Sequence, residues 1–207
     1  MGTRTYRTIF WTLAVAGFLL DQATKYEVFR WLYNPSNEGK YQVVPGVFEL
    51  LSQFTGEREA ASGALASLRT WGGDVLPSVN HGALFGLGRE HLALANGLFA
   101  GVSILAALAI AYWGSRRITA HDGILSVALG LILAGTLGNL YDRLVFGGVR
   151  DFLHFYWFQW PVFNVADCCL VCGAGLLLIQ AFCMHPAGGD AATSSAKQVN
   201  TDFAEIK

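Results

Sequence analysis

Charge is what this sequence is short of. Only 14% of its 207 residues are Asp, Glu, Lys or Arg, against roughly 25% in an ordinary globular protein. The few charges nearly cancel, 14 basic against 15 acidic, for a formal net charge of −1. A basic excess that could hold nucleic acid is therefore missing, and so is an acidic block that could act as a solvating tail. Metal-ligand spacing is missing too. Cys169 and Cys172 have the CxxC interval, but no second CxxC or histidine pair completes a site. Cys168, Cys169, Cys172 and Cys183 read as small apolar residues of a membrane helix, and no metal is expected. The five histidines, at 81, 91, 121, 154 and 185, are scattered. No repeat of useful length is visible.

What the chain has instead is apolar residues, 53% of the total. A membrane-crossing helix needs about 20 of them in succession. Four segments qualify: 8–29, 92–113, 123–141 and 162–183. The second and third carry no charge, and the fourth carries only Asp167 near one end. The first is interrupted by Asp21, Lys25 and Glu27, of which Asp21 and Lys25 stand four apart and can meet on one helix face. MGTRTYR and the apolar run after it also resemble the start of a secretory signal. However, DQATKYEVF follows in place of a small-residue cleavage site and continues the helix.

Arg4 and Arg7 precede the first span, and Arg116 and Arg117 lie between the second and third. The positive-inside rule puts both flanks, and both termini, in the cytoplasm. Residues 30–91 and 142–161 then share the outer side. Within the first of these, YQVVPGVFELLSQF reads as a small sheet on the membrane, with Phe48, Leu50 and Phe54 on one face if extended. Residues 56–78 read as an inserted short helix and Gly-rich turn, and SVNHGALFGLG as strand-like. Residues 185–207 lack periodicity and read as a disordered cytoplasmic tail, leaving 1–184 as one membrane domain. Gly97 with Gly101, and Gly130, Gly135 and Gly138, read as places where helices pack closely. The aromatic run FLHFYWFQWPVF suits a lipid-facing belt.

Charge near hydrocarbon is costly and survives where it works or is paired. Asp142, Asp151 and Asp167 all fall on the outer side. Sixteen residues separate Asp151 from Asp167, enough for a loop to bring one acid back to the other. Two close carboxyls share a proton, one serving as base toward water and the other as acid. The alternative is that Asp167 only caps the fourth helix. Asn139, Arg143 and Asn164 cluster at the same helix ends and suggest a pocket. Arg143 could pair with Asp142, reach a lipid phosphate or snorkel to headgroups. His154, three residues past Asp151, could tune the site or sit as an interfacial histidine.

DQATK (21–25), NHGALFG (80–86), GNLYDR (138–143), VRDF (149–152) and FNVAD (163–167) resemble, in order, the motif blocks of bacterial lipoprotein signal peptidase, also called signal peptidase II. Five blocks in the right topology are a specific match across about residues 8–183. The resemblance implies an all-α membrane protein of the bacterial inner membrane, with four transmembrane helices, a small periplasmic β-sheet cradle and an inserted periplasmic loop. It implies an aspartic peptidase that removes the signal peptide from diacylglyceryl-modified prolipoproteins before the lipidated cysteine, without a cofactor. The catalytic acids fall on Asp151 and Asp167. Asn80, Asn139, Arg143 and Asn164 are expected to line the substrate pocket, Asp142 to support it and Gly138 to allow close helix approach. Asp21 and Lys25 match important positions of less clear role. Phospholipids are the other expected partner, and a monomer the expected state.

The chain departs from the family pattern in its outer loop. Thirty residues separate Leu50 from Asn80, where the family usually needs several. A transporter or channel subunit is a competing class, but its acids would lie near mid-span. A non-enzymatic assembly factor is another, and its acids would be replaceable.

Overall fold

A computed structural model of the protein describes residues 5–33, 39–58, 65–69, 75–82 and 92–184. Four long helices dominate: α1 Arg7–Trp31, α3 Leu92–Gly114, α5 Gly123–Phe146 and α6 Val165–Met184. Two single turns of helix, α2 Ala66–Arg69 and α4 Arg117–Ala120, lie between them. Helices α3, α5 and α6 are long and apolar enough to cross a membrane. Helix α1 has the length, at 25 residues, but its second half carries Asp21, Gln22, Lys25 and Glu27. Asp21, Gln22 and Lys25 are tolerable there because α1 turns them inward, where they are buried, while Glu27 stays exposed;.

The ends of α5 follow from local chemistry. Asp122 is its N-cap and accepts the Leu125 N–H at 2.9 Å;. At the other end Gly147 takes φ 76°, a left-handed stop that residues with a Cβ adopt poorly;. Helix α5 is the hub and packs against α1, α3 and α6. Phe10 and Ala14 of α1, Ala107 of α3 and Leu133 of α5 form the apolar core at one end. Small residues let the helices meet: a Cβ on Gly130 would lie 2.8 Å from the Phe10 carbonyl oxygen of α1, and one on Gly138 2.5 Å from Asp21 Oδ2;. Gly97 and Gly101 differ from the expectation. A Cβ on either would meet nothing within 4 Å, so this pair on α3 is not a helix-packing site among the described residues.

Strands β1 Gly39–Val44 and β2 Phe48–Ser52 form a hairpin, and β5 Leu153–Phe155 adds to β2, giving an antiparallel sheet in the order β1-β2-β5. The turn uses Gly46 at φ 81°;. Register fixes Phe48 opposite Phe155, Glu49 opposite His154 and Leu50 opposite Leu153. The expected shared face of Phe48, Leu50 and Phe54 is not formed. Glu49 and Leu51 take the buried side, and Phe54 begins a separate strand, β3 Phe54–Arg58. There it packs edge-on against Phe29 and Tyr33, which ties β3 to the end of α1;.

The insertion reads as helix and turn in the sequence, yet its flanks form a second antiparallel sheet, β3 with β4 Val75–Pro77. The short helix within it is the single turn α2, tied to α1 by the Tyr26 hydroxyl donating to Leu68 O. Of the strand-like SVNHGALFGLG, Asn80 makes an isolated bridge to Val149, and the part from residue 83 on lies outside the described residues. The expected tail 185–207 and Arg4 lie outside them as well.

Candidate active site

Asp167 stands in the first turn of α6, three residues after its N-cap Asn164. Its Oδ2 accepts the Asn164 backbone N–H at 3.1 Å, while Asn164 Oδ1 accepts the Asp167 N–H at 3.0 Å. This reciprocal arrangement is a capping box. Capping therefore takes one carboxylate oxygen and leaves the other free to act elsewhere. That second oxygen, Oδ1, accepts from Asn139 Nδ2 at 2.9 Å.

Asp151 has no helix to hold it. It lies between the left-handed Gly147 and β5, on backbone pinned by the two hydrogen bonds of the Asn80–Val149 bridge at 2.7 and 2.8 Å. Phe152, buried beside it, gives its N–H to Phe163 O and accepts from Leu51 N–H. The carboxyl itself accepts from Asn164 Nδ2 at 2.7 Å and from Asn80 Nδ2 at 2.9 Å. Asn164 thus serves both acids: its side-chain amide donates to the Asp151 carboxyl and its backbone N–H to the Asp167 carboxyl, while its Oδ1 accepts the Asp167 N–H. Asn139 joins the same net, since its Oδ1 accepts from Asn164 Nδ2 at 3.2 Å and from Lys25 Nζ at 3.3 Å.

Burial pushes the Asp151 carboxyl up to about 6, and neighbouring Asp167 adds to the rise, while the amides of Asn80 and Asn164 and the Lys25 ammonium oppose it;. A carboxyl that keeps a proton to about pH 6, placed one asparagine away from a second carboxyl, has the makeup of a general acid–base pair. A cavity of about 250 Å³ opens onto it, bounded by Leu51, Gln53, Asn80, Asp151, Pro161 and Val162.

Beneath the two acids lies a second, fully buried polar cluster. Lys25 Nζ is 2.9 Å from Asp21 Oδ2 and 3.3 Å from Asp142 Oδ2. Arg150 Nη2 reaches Asp142 Oδ1 at 2.8 Å and Gln22 Oε1 at 2.9 Å. Gln22 in turn donates to Asp21 Oδ2 at 2.9 Å and to the Gly138 carbonyl at 3.1 Å. Two acids face two bases, which is how charge is tolerated in a dry interior. Gly138 allows α1 and α5 to close on this cluster. Both clusters meet at Asn139.

Of the residues expected at a pocket, Asn80, Asn139, Asn164, Asp151 and Asp167 come together, and Asp21, Lys25, Asp142 and Gly138 form the layer behind them. Arg143 differs from one reading. Asp142 pairs with Lys25 and Arg150 instead, because it turns inward while Arg143 turns toward α3. The Arg143 guanidinium lies 5.3 Å over the Phe99 ring, within electrostatic range of Asp151 and Asp167, and its Nε has no partner among the described residues. His154 pairs with Glu49 at 2.9 Å across the β2–β5 register, away from the acids. Sequence reasoning missed Arg150 and Gln22. The one available signal was a basic residue inside VRDF, on a chain that spends so few charges.

Long apolar helices packed around a buried polar site at one end define this as a multi-pass membrane protein. The chain belongs to the signal peptidase II family: residues 74–183 match the family model described as "Signal peptidase (SPase) II". It is 35% identical over 190 residues to a lipoprotein signal peptidase of Rhodopirellula baltica, covering 84% of this chain and 71% of that one. It is 32% identical over 170 residues to one from Symbiobacterium thermophilum, covering 81% and 90%. A solved structure titled as a bacterial membrane enzyme, determined by the in meso method at 2.3 Å, superposes with a TM-score of 0.65 at 22% identity, over 92% of this chain and 97% of that one. That likeness shows the fold.

Proposed function

We propose that this chain is a membrane-embedded aspartic endopeptidase that removes the signal peptide from diacylglyceryl-modified prolipoproteins, cutting before the lipidated cysteine. Asp151 and Asp167 hold a water between them. One carboxyl takes its proton, and the other donates to the scissile carbonyl oxygen and then to the leaving amine. The reading rests above all on the shared use of Asn164 by both acids. Asn80, Asn139 and Arg143 line the substrate pocket. Asp142, Asp21, Lys25 and Gly138 support it from behind. The substrate's acyl chains remain among phospholipids, so the bilayer supplies part of the orientation.

In this reading α1 also spans the membrane, as the first of four helices, residues 1–184 are the peptidase domain and 185–207 a cytoplasmic tail. The protein acts as a monomer in the inner membrane, with both termini in the cytoplasm and the acids at the periplasmic face. Acids at one end of the helices favour a peptidase over a transporter, whose acids belong near mid-span. The test is cleavage of a lipidated prolipoprotein peptide, with unmodified peptide as control. Asp151→Asn and Asp167→Asn should each lose at least about 100-fold in kcat. Wild-type rates in either variant would refute the dyad.

A further inference from the structure

The two acids are not held equally. Asp167 is carried by α6 and its capping box, whereas Asp151 lies on irregular chain. In both cases, however, the residue just before the acid gives its backbone N–H to a buried carboxylate. Ala166 donates to Asp21 Oδ1 at 2.8 Å, and Arg150 donates to Asp142 Oδ2 at 2.9 Å. Lys25 bridges those two carboxylates. Only on the Asp151 side does the preceding residue add a side chain to the same carboxylate.

That side chain spans three parts of the fold. Arg150 is completely buried, grips Asp142 of α5 through Nε and Nη2, and reaches Gln22 of α1 with Nη2. Its guanidinium is 4.3 Å from the Tyr26 ring centroid on α1 and 4.0 Å from that of Phe146 on α5. Planar stacking on rings together with bidentate contact to a carboxylate suits arginine and not lysine. We infer that Arg150 is a positioning residue for the proposed peptidase reaction, clamping the loop that carries Asp151 to α1 and α5 and so fixing that acid relative to Asp167.

A second path reaches Asp167. With Arg150 gone, Asp142 keeps Lys25 as its remaining cationic partner in the cluster. Lys25 is then drawn off Asn139 Oδ1, and Asn139 is the residue that holds Asp167 Oδ1. Loss of Arg150 therefore disturbs both acids without removing any group that touches substrate. Misplacement of reacting groups by a fraction of an ångström lowers kcat more than it alters binding.

The inference rests on the aspartic dyad, and the experiment separates the two. Arg150→Lys, Arg150→Met, the double variant Asp142→Asn with Arg150→Met, and Asp151→Asn are purified in detergent. Each is assayed on a lipidated prolipoprotein peptide and melted. Arg150→Lys keeps a cation beside Asp142, so it should melt near wild type with kcat down about tenfold and KM within about twofold. The double variant restores the match of acids and bases and should recover melting temperature over Arg150→Met, but not kcat. If kcat returns together with melting temperature, the role of Arg150 is only to offset charge and the assignment is overturned. A wild-type kcat in Arg150→Lys overturns it as well, and this variant decides the matter if Arg150→Met does not fold. Full activity in Asp151→Asn would instead remove the dyad, and the Arg150 assignment with it.

Discussion

The backbone N–H of Ala166 points at Asp21 Oδ1 from 2.8 Å, across 145 residues of chain. This bond joins the start of α6 to the middle of α1, one residue before Asp167. Asp21 also holds Lys25, and both side chains are fully buried. Asp21→Ala leaves an ammonium in the interior with half of its pairing gone and an N–H of α6 without an acceptor. Breaking a buried pair in this way costs about 3–5 kcal/mol. Thermal unfolding in detergent should show a marked drop, with activity lost alongside. Unchanged melting would contradict the burial of this pair.

Asn164 is the most economical target at the site, because it touches both acids without being either. Asn164→Ala removes the amide that holds Asp151 and the carbonyl that holds the Asp167 N–H. The expected fall in kcat is about 100-fold, the scale set by small misplacement of reacting groups. Steady-state kinetics on a lipidated peptide check it. Asn164→Asp should fare no better, since it puts a third carboxyl beside the pair.

A pH profile carries the sign of the Asp151 shift. Its carboxyl, raised to about 6, holds a proton in the folded protein at pH values where an unfolded chain has lost it. The folded state therefore binds more protons between about pH 4 and 6, and this group's contribution to stability falls as pH rises through that window. A pair that works with one shared proton should lose kcat as pH climbs past about 6, with apparent values belonging to the pair. A kcat that stays flat from pH 5 to about 8 would contradict this.

Gly138 tests the close approach of the helices. A methyl there would lie 2.5 Å from Asp21 Oδ2 and 3.0 Å from Ala166 Cβ, and both belong to rigidly held groups. Gly138→Ala should destabilise by about 1–3 kcal/mol, the range for overpacking. Gly97→Ala on α3 is the internal control, since its Cβ meets nothing. Its melting temperature should equal or exceed that of wild type.

The long helices were legible because hydrocarbon demands unbroken apolar runs, and three of the four carry little else. Asp151 and Asp167 could be singled out because so few charges compete with them. For Asp167, capping and a place in a pocket looked like alternatives in the sequence, yet Oδ2 takes the capping bond while Oδ1 takes the Asn139 amide. The partner of Asp142 was not legible. Neighbouring Arg143 is one residue away, but a helix turns about 100° per residue, so adjacent side chains diverge and Arg150 comes back across the loop instead. Strand β5 was hidden in an aromatic run that reads equally well as a lipid belt. Its pairing with β2, about a hundred residues earlier, leaves no local trace.

That ladder bears on how the loop beyond it could lengthen. Leu51 N–H bonds Phe152 O, directly beside Asp151, so the β1–β2 hairpin and the acid are coupled through one run of backbone. The chain leaves this sheet after Ser52, past the last rung. Lengthening a surface connection costs little in closure entropy, and at that point it leaves every rung in register. Extra length placed beyond Ser52 would therefore leave undisturbed the backbone that steadies Asp151.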